Sequence, residues 1–234
     1  MNFYVVIPAR YESSRFPGKV LSLINGKTML EHVYDNAIKS KATDVFIATD
    51  SDIVMKAAKT FTDNVFLTSE NNRNGTERVA ELSRLFNWPD DSLVINLQAD
   101  MPKLSCDNID YLAKSVDKSA SVTTLYYPLS DLQLLLDKNT VKIHIYKESI
   151  SFHREIKDQQ KGEIYRHIGI YAYYVKDLHL YTTYSQSVNE LSLSLEQCRF
   201  IDNKHKISAY CAINDPGSSV DTIDNLSKIK DINN

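Results

Sequence analysis

The 234 residues are 43% hydrophobic and 24% charged, and 27 Lys and Arg against 30 Asp and Glu leave a net charge of −3. This balance excludes a disulfide-stapled miniature or a disordered chain, predicts one domain with a full core, and gives no global attraction to nucleic acid or an anionic membrane. The cysteines at 106, 198 and 211 lack C-x-x-C spacing, so neither a disulfide framework nor zinc is indicated; no run approaches the roughly 18 apolar residues of a membrane span, and without a basic leader the expected compartment is cytoplasmic.

Residues 3–7 read as a strand, followed by a helix at 29–40, a strand at 45–49, a helix at 52–61 and a strand at 65–68. A helix at 75–86 leads to Leu93-Val94-Ile95-Asn96-Leu97, a continuous apolar run of the kind that a strand covered on both faces requires. This βαβ rhythm predicts an α/β fold with a mainly parallel, doubly wound sheet. Tyr-rich and β-branched stretches at 121–127, 141–146 and 167–174 predict longer antiparallel strands, so residues from about 125 to 185 are expected to decorate a single domain spanning 1–234. A helix at 189–200, a strand at 207–213 and a helix beyond Asp221 complete the expected order.

The loop after the first strand, Ile7-Pro8-Ala9-Arg10-Tyr11-Glu12-Ser13-Ser14-Arg15-Phe16-Pro17-Gly18-Lys19, puts three cations and two hydroxyls at the sheet edge where open α/β folds bind ligands. Amides and hydroxyls can wrap a polyphosphate while Arg10, Arg15 and Lys19 neutralise it. The spacing is neither G-x-x-x-x-G-K-[ST] nor G-x-G-x-x-G, so a metal on such a phosphate needs carboxylates from elsewhere. Asp100, before Met101-Pro102, and Asp221, before the last helix, are the candidates, because magnesium is commonly held by one or two carboxylates plus phosphates. The plainer alternatives are a solvated loop, a turn for Asp100 and a helix cap for Asp221.

Asn72-Arg73-Asn74-Gly75-Thr76-Glu77-Arg78 lies at a predicted helix start, where it presents amides and Arg78 to a base or phosphate, or where Asn74 or Thr76 simply caps the helix. In Arg166-His167-Ile168-Gly169-Ile170-Tyr171-Ala172-Tyr173, strand alternation puts His167, Gly169 and Tyr171 on one face, either to hold a ligand or to pair with the sheet. No H-E-x-x-H or G-x-S-x-G motif is present, so zinc and a serine nucleophile are not expected.

Taken together, these segments, with Ile24-Asn25-Gly26-Lys27, Ala48-Thr49-Asp50, Asn96-Leu97-Gln98, Leu195-Glu196-Gln197 and Val220-Asp221-Thr222, resemble the 3-deoxy-manno-octulosonate (Kdo) cytidylyltransferases over nearly the whole chain. The resemblance implies a nucleotide-diphospho-sugar transferase fold, CTP as co-substrate, Mg2+, and a homodimer built partly by the middle strands. It implies CMP transfer from CTP to the anomeric hydroxyl of Kdo for lipopolysaccharide synthesis, or to an 8-amino or sialic-acid-like relative, with a catalytically weak nucleotide binder as the alternative. It also implies residue roles. Arg10, Ser13, Arg15 and Lys19 would bind phosphates, with Arg15, Lys19 and Asp100 catalytic. Gly75, Thr76 and Arg78 would lie near the cytidine, Asp100 and Asp221 would hold magnesium, and Gln98, Arg154, His167, Tyr171 and Glu196 would line the sugar pocket. The chain departs from the family at Ala99 and Met101, where Gly and Glu are usual, and at His153, Lys157 and Asp158, where Ser, Ile and Pro are usual.

Overall fold

The computed structural model describes residues 2–13, 15–129, 131–156 and 162–230, so Ser14, Lys157 and Asp158 lie outside the described residues. In chain order the elements are β1 Phe3–Ala9, a 3-10 turn Lys19–Leu21, β2 Leu23–Ile24, β3 Lys27–Thr28, α1 Met29–Ala37, β4 Asp44–Thr49, α2 Asp52–Ala58 and β5 Val65–Leu67. Next come α3 Gly75–Leu85, β6 Leu93–Leu97, α4 Cys106–Lys114, β7 Val122–Tyr127, α5 Leu132–Leu136, β8 Lys142–Tyr146, β9 Ser149–His153 and β10 Glu163–Tyr174. The chain then runs through α6 Val175–Thr183, α7 Val188–Leu193, α8 Cys198–Asp202, β11 Ile207–Cys211 and α9 Ile223–Lys230.

The main sheet has the order β11-β7-β10-β6-β1-β4-β5, and the β8–β9 hairpin extends it from the outer end of β10. Strands β6, β1, β4 and β5 are mutually parallel, as the apolar runs in β1 and β6 require; every residue of β6 is buried. The long strand β10 runs antiparallel to β6, β7 and β8, and a register irregularity between Ile168 and Tyr171 lets it serve both the main sheet and the hairpin. Its alternation divides the core. Ile168, Ile170 and Ala172 pack with Val5, Ile7, Ile95 and the α1 and α4 side, whereas Tyr171 and Tyr173 pack with Val79, Leu82, Tyr181 and Phe200.

Local chemistry sets the helix ends. Thr28, Ser51, Asn74 and Ser105 each accept a backbone N–H from the first turn of α1, α2, α3 and α4. The expected helix at 189–200 is instead two short helices, α7 and α8, because Ser194 takes a left-handed backbone (φ 53°) that ends α7. The break has a use: it leaves Glu196 and Gln197 outside a continuous helical ladder, against the cavity described below.

Ile95 is fully buried at the centre of β6. Ile95→Ala is expected to destabilise the fold by about 2–5 kcal/mol, through lost transfer energy and the space left behind, read as a lowered midpoint in urea unfolding.

Candidate functional site

The loop after β1 closes on itself. Gly18 adopts φ +69°, its N–H donates to the Tyr11 carbonyl at 2.8 Å, and a Cβ there would lie 3.3 Å from the Tyr11 ring, so a side chain would meet both strain and crowding. The turn delivers Lys19 to two carboxylates from distant parts of the chain: Nζ lies 2.6 Å from Asp100 Oδ2 and 3.2 Å from Asp221 Oδ1. Arg15 joins the group, with Nη2 at 2.9 Å from Asp221 Oδ1 and Nη1 at 2.5 Å from Asn139 Oδ1. Burial opposes the Lys19 charge, but Asp100 and Asp221 outweigh it and hold the ammonium pKa above its ordinary value.

Backbone geometry fixes the two aspartates as a pair. The Val220 N–H donates to the Asp100 carbonyl at 2.9 Å, tying the turn after β6 to the segment before α9. Thr222 receives the Asn225 N–H at that helix start, which leaves the Asp221 carboxylate free of capping duty. Ala99 and Met101, on either side of Asp100, are buried beside Leu97 and Leu104, yet Ala99 also lines the smaller and Met101 the larger of the cavities described next, while Asp100 reaches Lys19.

Two adjoining cavities meet here. A smaller one, about 300 Å³, is lined by Arg10, Ser13, Arg15, Lys19, Gly75 and Asp100; a larger one, about 1260 Å³, shares Arg15, Gly75, Gln98 and Asp100 with it and extends past Arg154, His167, Tyr171 and Glu196. The expected phosphate residues Arg10, Ser13 and Lys19 thus face the smaller cavity, Arg15, Gln98 and Asp100 face both, and Asp221, Arg154, His167, Tyr171 and Glu196 face the larger.

The turn before α3 contributes differently from the expectation of side chains near a base. Gly75 lines both cavities, but Thr76 and Arg78 are fully buried. The Thr76 N–H donates to Glu196 Oε2 at 3.0 Å, and Arg78 donates to Asp50 at 2.5 Å and to Thr68. Asp50 also accepts from Arg10 Nε at 3.4 Å, so one carboxylate at the end of β4 serves a buried and an open arginine. Asn74 does cap α3, its Oδ1 receiving the Glu77 N–H at 3.0 Å.

Behind this turn lies a buried ionic network that local spacing does not reveal. Arg199 donates to both oxygens of Glu190, at 2.7 and 2.6 Å, and to Glu77 at 2.8 Å, with its guanidinium 4.1 Å from the centre of the Tyr181 ring. Asn74 Nδ2 donates to Tyr181 Oη at 2.7 Å and Glu190 Oε1 at 3.1 Å, while Arg73 pairs with Glu77 at 2.6 Å. Burial opposes each charge, yet the partners outweigh it, raising the Arg199 pKa and lowering that of Glu77. Residues 73–75 are thereby clamped to the segment that carries Glu196.

On the wall of the larger cavity, Gln98 Nε2 donates to Asn96 Oδ1 and to Glu196 Oε1, both at 3.2 Å. Burial raises the Glu196 pKa, although its bond from the Thr76 N–H works the other way. His167 is buried, and burial lowers its pKa to about 3, so the ring is neutral. Thr124 gives its hydroxyl proton to the Ile170 carbonyl at 2.7 Å and therefore accepts from His167 Nε2 at 3.1 Å, which assigns the proton to Nε2 and leaves Nδ1 an acceptor. Arg154 donates only to carbonyls among the described residues, those of Leu193 at 2.7 Å, Lys138 at 3.2 Å, Asn139 at 3.5 Å and Ser194 at 3.3 Å. Burial, then the Arg15 charge, lower its pKa.

The sequence pattern described as Cytidylyltransferase matches residues 4–207. The chain belongs to the cytidylyltransferase family. It is 35% identical over 247 aligned positions to a 3-deoxy-manno-octulosonate cytidylyltransferase of Francisella tularensis subsp. tularensis (strain SCHU S4 / Schu 4), covering 100% of this chain and 99% of that protein. It is also 35% identical to the protein of that name from Pseudoalteromonas atlantica, with 98% and 97% covered. A solved CMP:2-keto-3-deoxy-manno-octonic acid synthetase complexed with CTP superposes with a TM-score of 0.85 at 31% identity, over 98% of this chain and 97% of that one. A 4-diphosphocytidyl-2C-methyl-D-erythritol synthase from Anaerococcus prevotii, 15% identical with a TM-score of 0.61 over 98% and 95% of the two chains, shares the fold.

Two outcomes follow for this cytidylyltransferase. The His167 pKa, about 3 in the fold, lies below the ordinary 6.5, so acid favours the unfolded chain; stability is intact above pH 6.5 and is lost progressively toward pH 3. At about 1.4 kcal/mol per pH unit, His167 alone should remove about 2 kcal/mol by pH 5, and His167→Gln should flatten that part of the stability curve in urea melts. Arg199→Met, which takes the cation from the buried Glu190 and leaves Glu77 with Arg73 alone, should destabilise by about 3–5 kcal/mol, measured the same way.

Proposed function

We propose that this enzyme transfers CMP from CTP to the anomeric C2 hydroxyl of Kdo, releasing pyrophosphate, in the cytoplasmic stage of lipopolysaccharide synthesis. The observation that carries this reading is that Asp100 and Asp221, both held by Lys19, line the same large cavity as Arg154, a guanidinium with only carbonyl partners among the described residues. Such a cation lacks a counter-charge in contact, and a sugar-acid carboxylate supplies one in the bidentate geometry that arginine favours.

Arg10, Ser13, Arg15 and Lys19 are proposed to take the triphosphate, with the α-phosphorus at the Lys19 and Asp100 end, where the two cavities join. The Gly75 turn would receive the cytidine through its backbone, since Thr76 and Arg78 are occupied internally. Gln98, His167, Tyr171 and Glu196 would complete the sugar pocket. In the reaction the C2 oxygen forms a bond to the α-phosphorus as the bridging bond to the β-phosphate breaks, so alignment and charge neutralisation carry most of the rate enhancement.

The donor set fits a magnesium ion. Asp100 and Asp221 already converge on one cation, the Lys19 ammonium, and hard carboxylate oxygens are the ligands magnesium prefers. Bound by them, magnesium supplies phosphate charge neutralisation and lowers the pKa of a nearby hydroxyl. Lys19 and Arg15 then act as the chain's own cations on the phosphates. A homodimer belongs to the same reading: Leu132 and Leu136 of α5 are 66% and 73% exposed, and among the described residues β9 pairs only with β8, leaving apolar surface and a strand edge in the middle region. We treat residues 1–234 as one catalytic unit, with about 125–185 as its antiparallel part.

The test is pyrophosphate release with CTP and magnesium, offering Kdo, its 8-amino analogue and a sialic acid. Release with Kdo is expected, abolished by EDTA, and reduced about 100- to 1000-fold in Lys19→Met and Asp100→Ala. Release with another acid alone would reassign the substrate, and CTP binding without release from any acid would make the protein a nucleotide binder.

A further inference from the structure

Two arginines from distant segments meet on one residue. Asn139, in the turn between α5 and β8, accepts on its side-chain Oδ1 from Arg15 Nη1 at 2.5 Å and on its main-chain carbonyl from Arg154 Nη1 at 3.5 Å. Arg15 belongs to the loop after β1 and lines both cavities, whereas Arg154 follows β9 and lines the larger one. The turn holds the Asn139 amide in one orientation. Its N–H and Nδ2 both donate to Asp137 Oδ1, at 2.9 and 3.1 Å, so Oδ1 is the end left for Arg15. Lys142, fully buried, donates from Nζ to the Asp137 carbonyl and, at 3.0 Å, to the Arg154 carbonyl. The main chains of the turn and of Arg154 thus share an anchor, and what stays adjustable between them is side-chain contact.

That the acceptor is an amide matters. Arg15 already pairs through Nη2 with Asp221, and Asn139 orients the same guanidinium without adding a second negative charge, so its Nη1 can still be drawn away by an anion. A triphosphate that takes Nη1 breaks the tie from the loop after β1 to residues 137–140. The carbonyls of Lys138 and Asn139, in that same turn, occupy Arg154 Nη1 at 3.2 and 3.5 Å, long bonds that a carboxylate replaces readily. Burial, then the Arg15 charge, weigh against the Arg154 cation, and an anion on Arg15 removes the second of these.

We propose that Asn139 is a positioning residue that couples the two substrates: nucleotide phosphate competes with its Oδ1 for Arg15, sugar-acid carboxylate competes with its main-chain carbonyl for Arg154, and release of the first arginine makes the second more available. The sugar acid therefore binds more tightly once the nucleotide is in place, and the nucleotide gains by the same factor from the sugar acid. This rests on the reading of the cavities as a nucleotide and sugar-acid site.

The test is titration calorimetry in magnesium with Kdo and with an α,β-methylene analogue of CTP, which cannot release pyrophosphate, each in the absence and presence of the other. In wild type each ligand should lower the Kd of the other by about 5- to 20-fold. In Asn139→Ala that factor should fall below about two-fold, with the melting temperature lowered by no more than about 4 °C. Asn139→Asp keeps an acceptor for Arg15 but charges it, so the analogue alone should bind about 10-fold more weakly, whereas Asn139→Ala should bind it at least as well as wild type. A merely disturbed turn would weaken the analogue in both variants.

Undiminished coupling in Asn139→Ala, no coupling in wild type, or equal weakening of the analogue by both substitutions overturns the inference alone. A wild type that binds no nucleotide or no sugar acid overturns the activity reading and this inference with it.

Discussion

One ammonium holds the site together. Lys19 lies 81 positions from Asp100 and 202 from Asp221, and its contact with both brings the first loop, the turn after β6 and the start of α9 to one point. Without that cation the two carboxylates would face each other across a partly buried gap, where like charges repel strongly. The parallel strands β6 and β1 supply the rigid frame on which this convergence depends, because Asp100 and Lys19 both follow strands that end on the same edge of the sheet.

The second organising element is the Arg199 network, which works from behind. It joins α8 to the turn before α3 through Glu77 and Glu190, and the same stretch of chain presents Glu196 and Gln197 to the cavity. The turn before α3 and the segment carrying Glu196 and Gln197 are therefore parts of one stiff unit. A buried ion network of this kind is a poor source of net stability compared with apolar packing, but it imposes a single arrangement on the groups attached to it.

How much of this was legible in the sequence depended on range. The apolar runs in β1 and β6 and the alternation in β10 are local patterns, and they held, placing Ile168 and Ile170 in one core cluster and Tyr171 in the other. The helix α4 was missed although its start signal, Ser105 before Ile109, Leu112 and Ala113, is written in the chain. The break at Ser194 was not readable, since the left-handed conformation there has no Gly to announce it. For the site, the clustering of cations in the first loop was visible, but which arginine faces open space was not: Asp50, 28 positions before Arg78, pairs with that arginine inside the protein, a contact made only by the fold. Nothing in the spacing marks Gln197 Nε2 as a buried donor with no partner among the described residues, because that property is set by what surrounds it in three dimensions.

The arrangement of ion pairs also decides what an incoming ligand meets. At the Lys19 end, Lys19 and Arg15 are offset by Asp100 and Asp221, whereas at the Arg10 end a single Asp50 is shared by Arg10 and Arg78. Glu12 lines the smaller cavity beside Arg10, and the Glu81 charge also acts on Arg78, so the cations at both ends are offset by carboxylates. An anion that enters between these groups exchanges partners with carboxylates already in place, so Arg10, Arg15 and Lys19 are met as paired cations and not as bare charge.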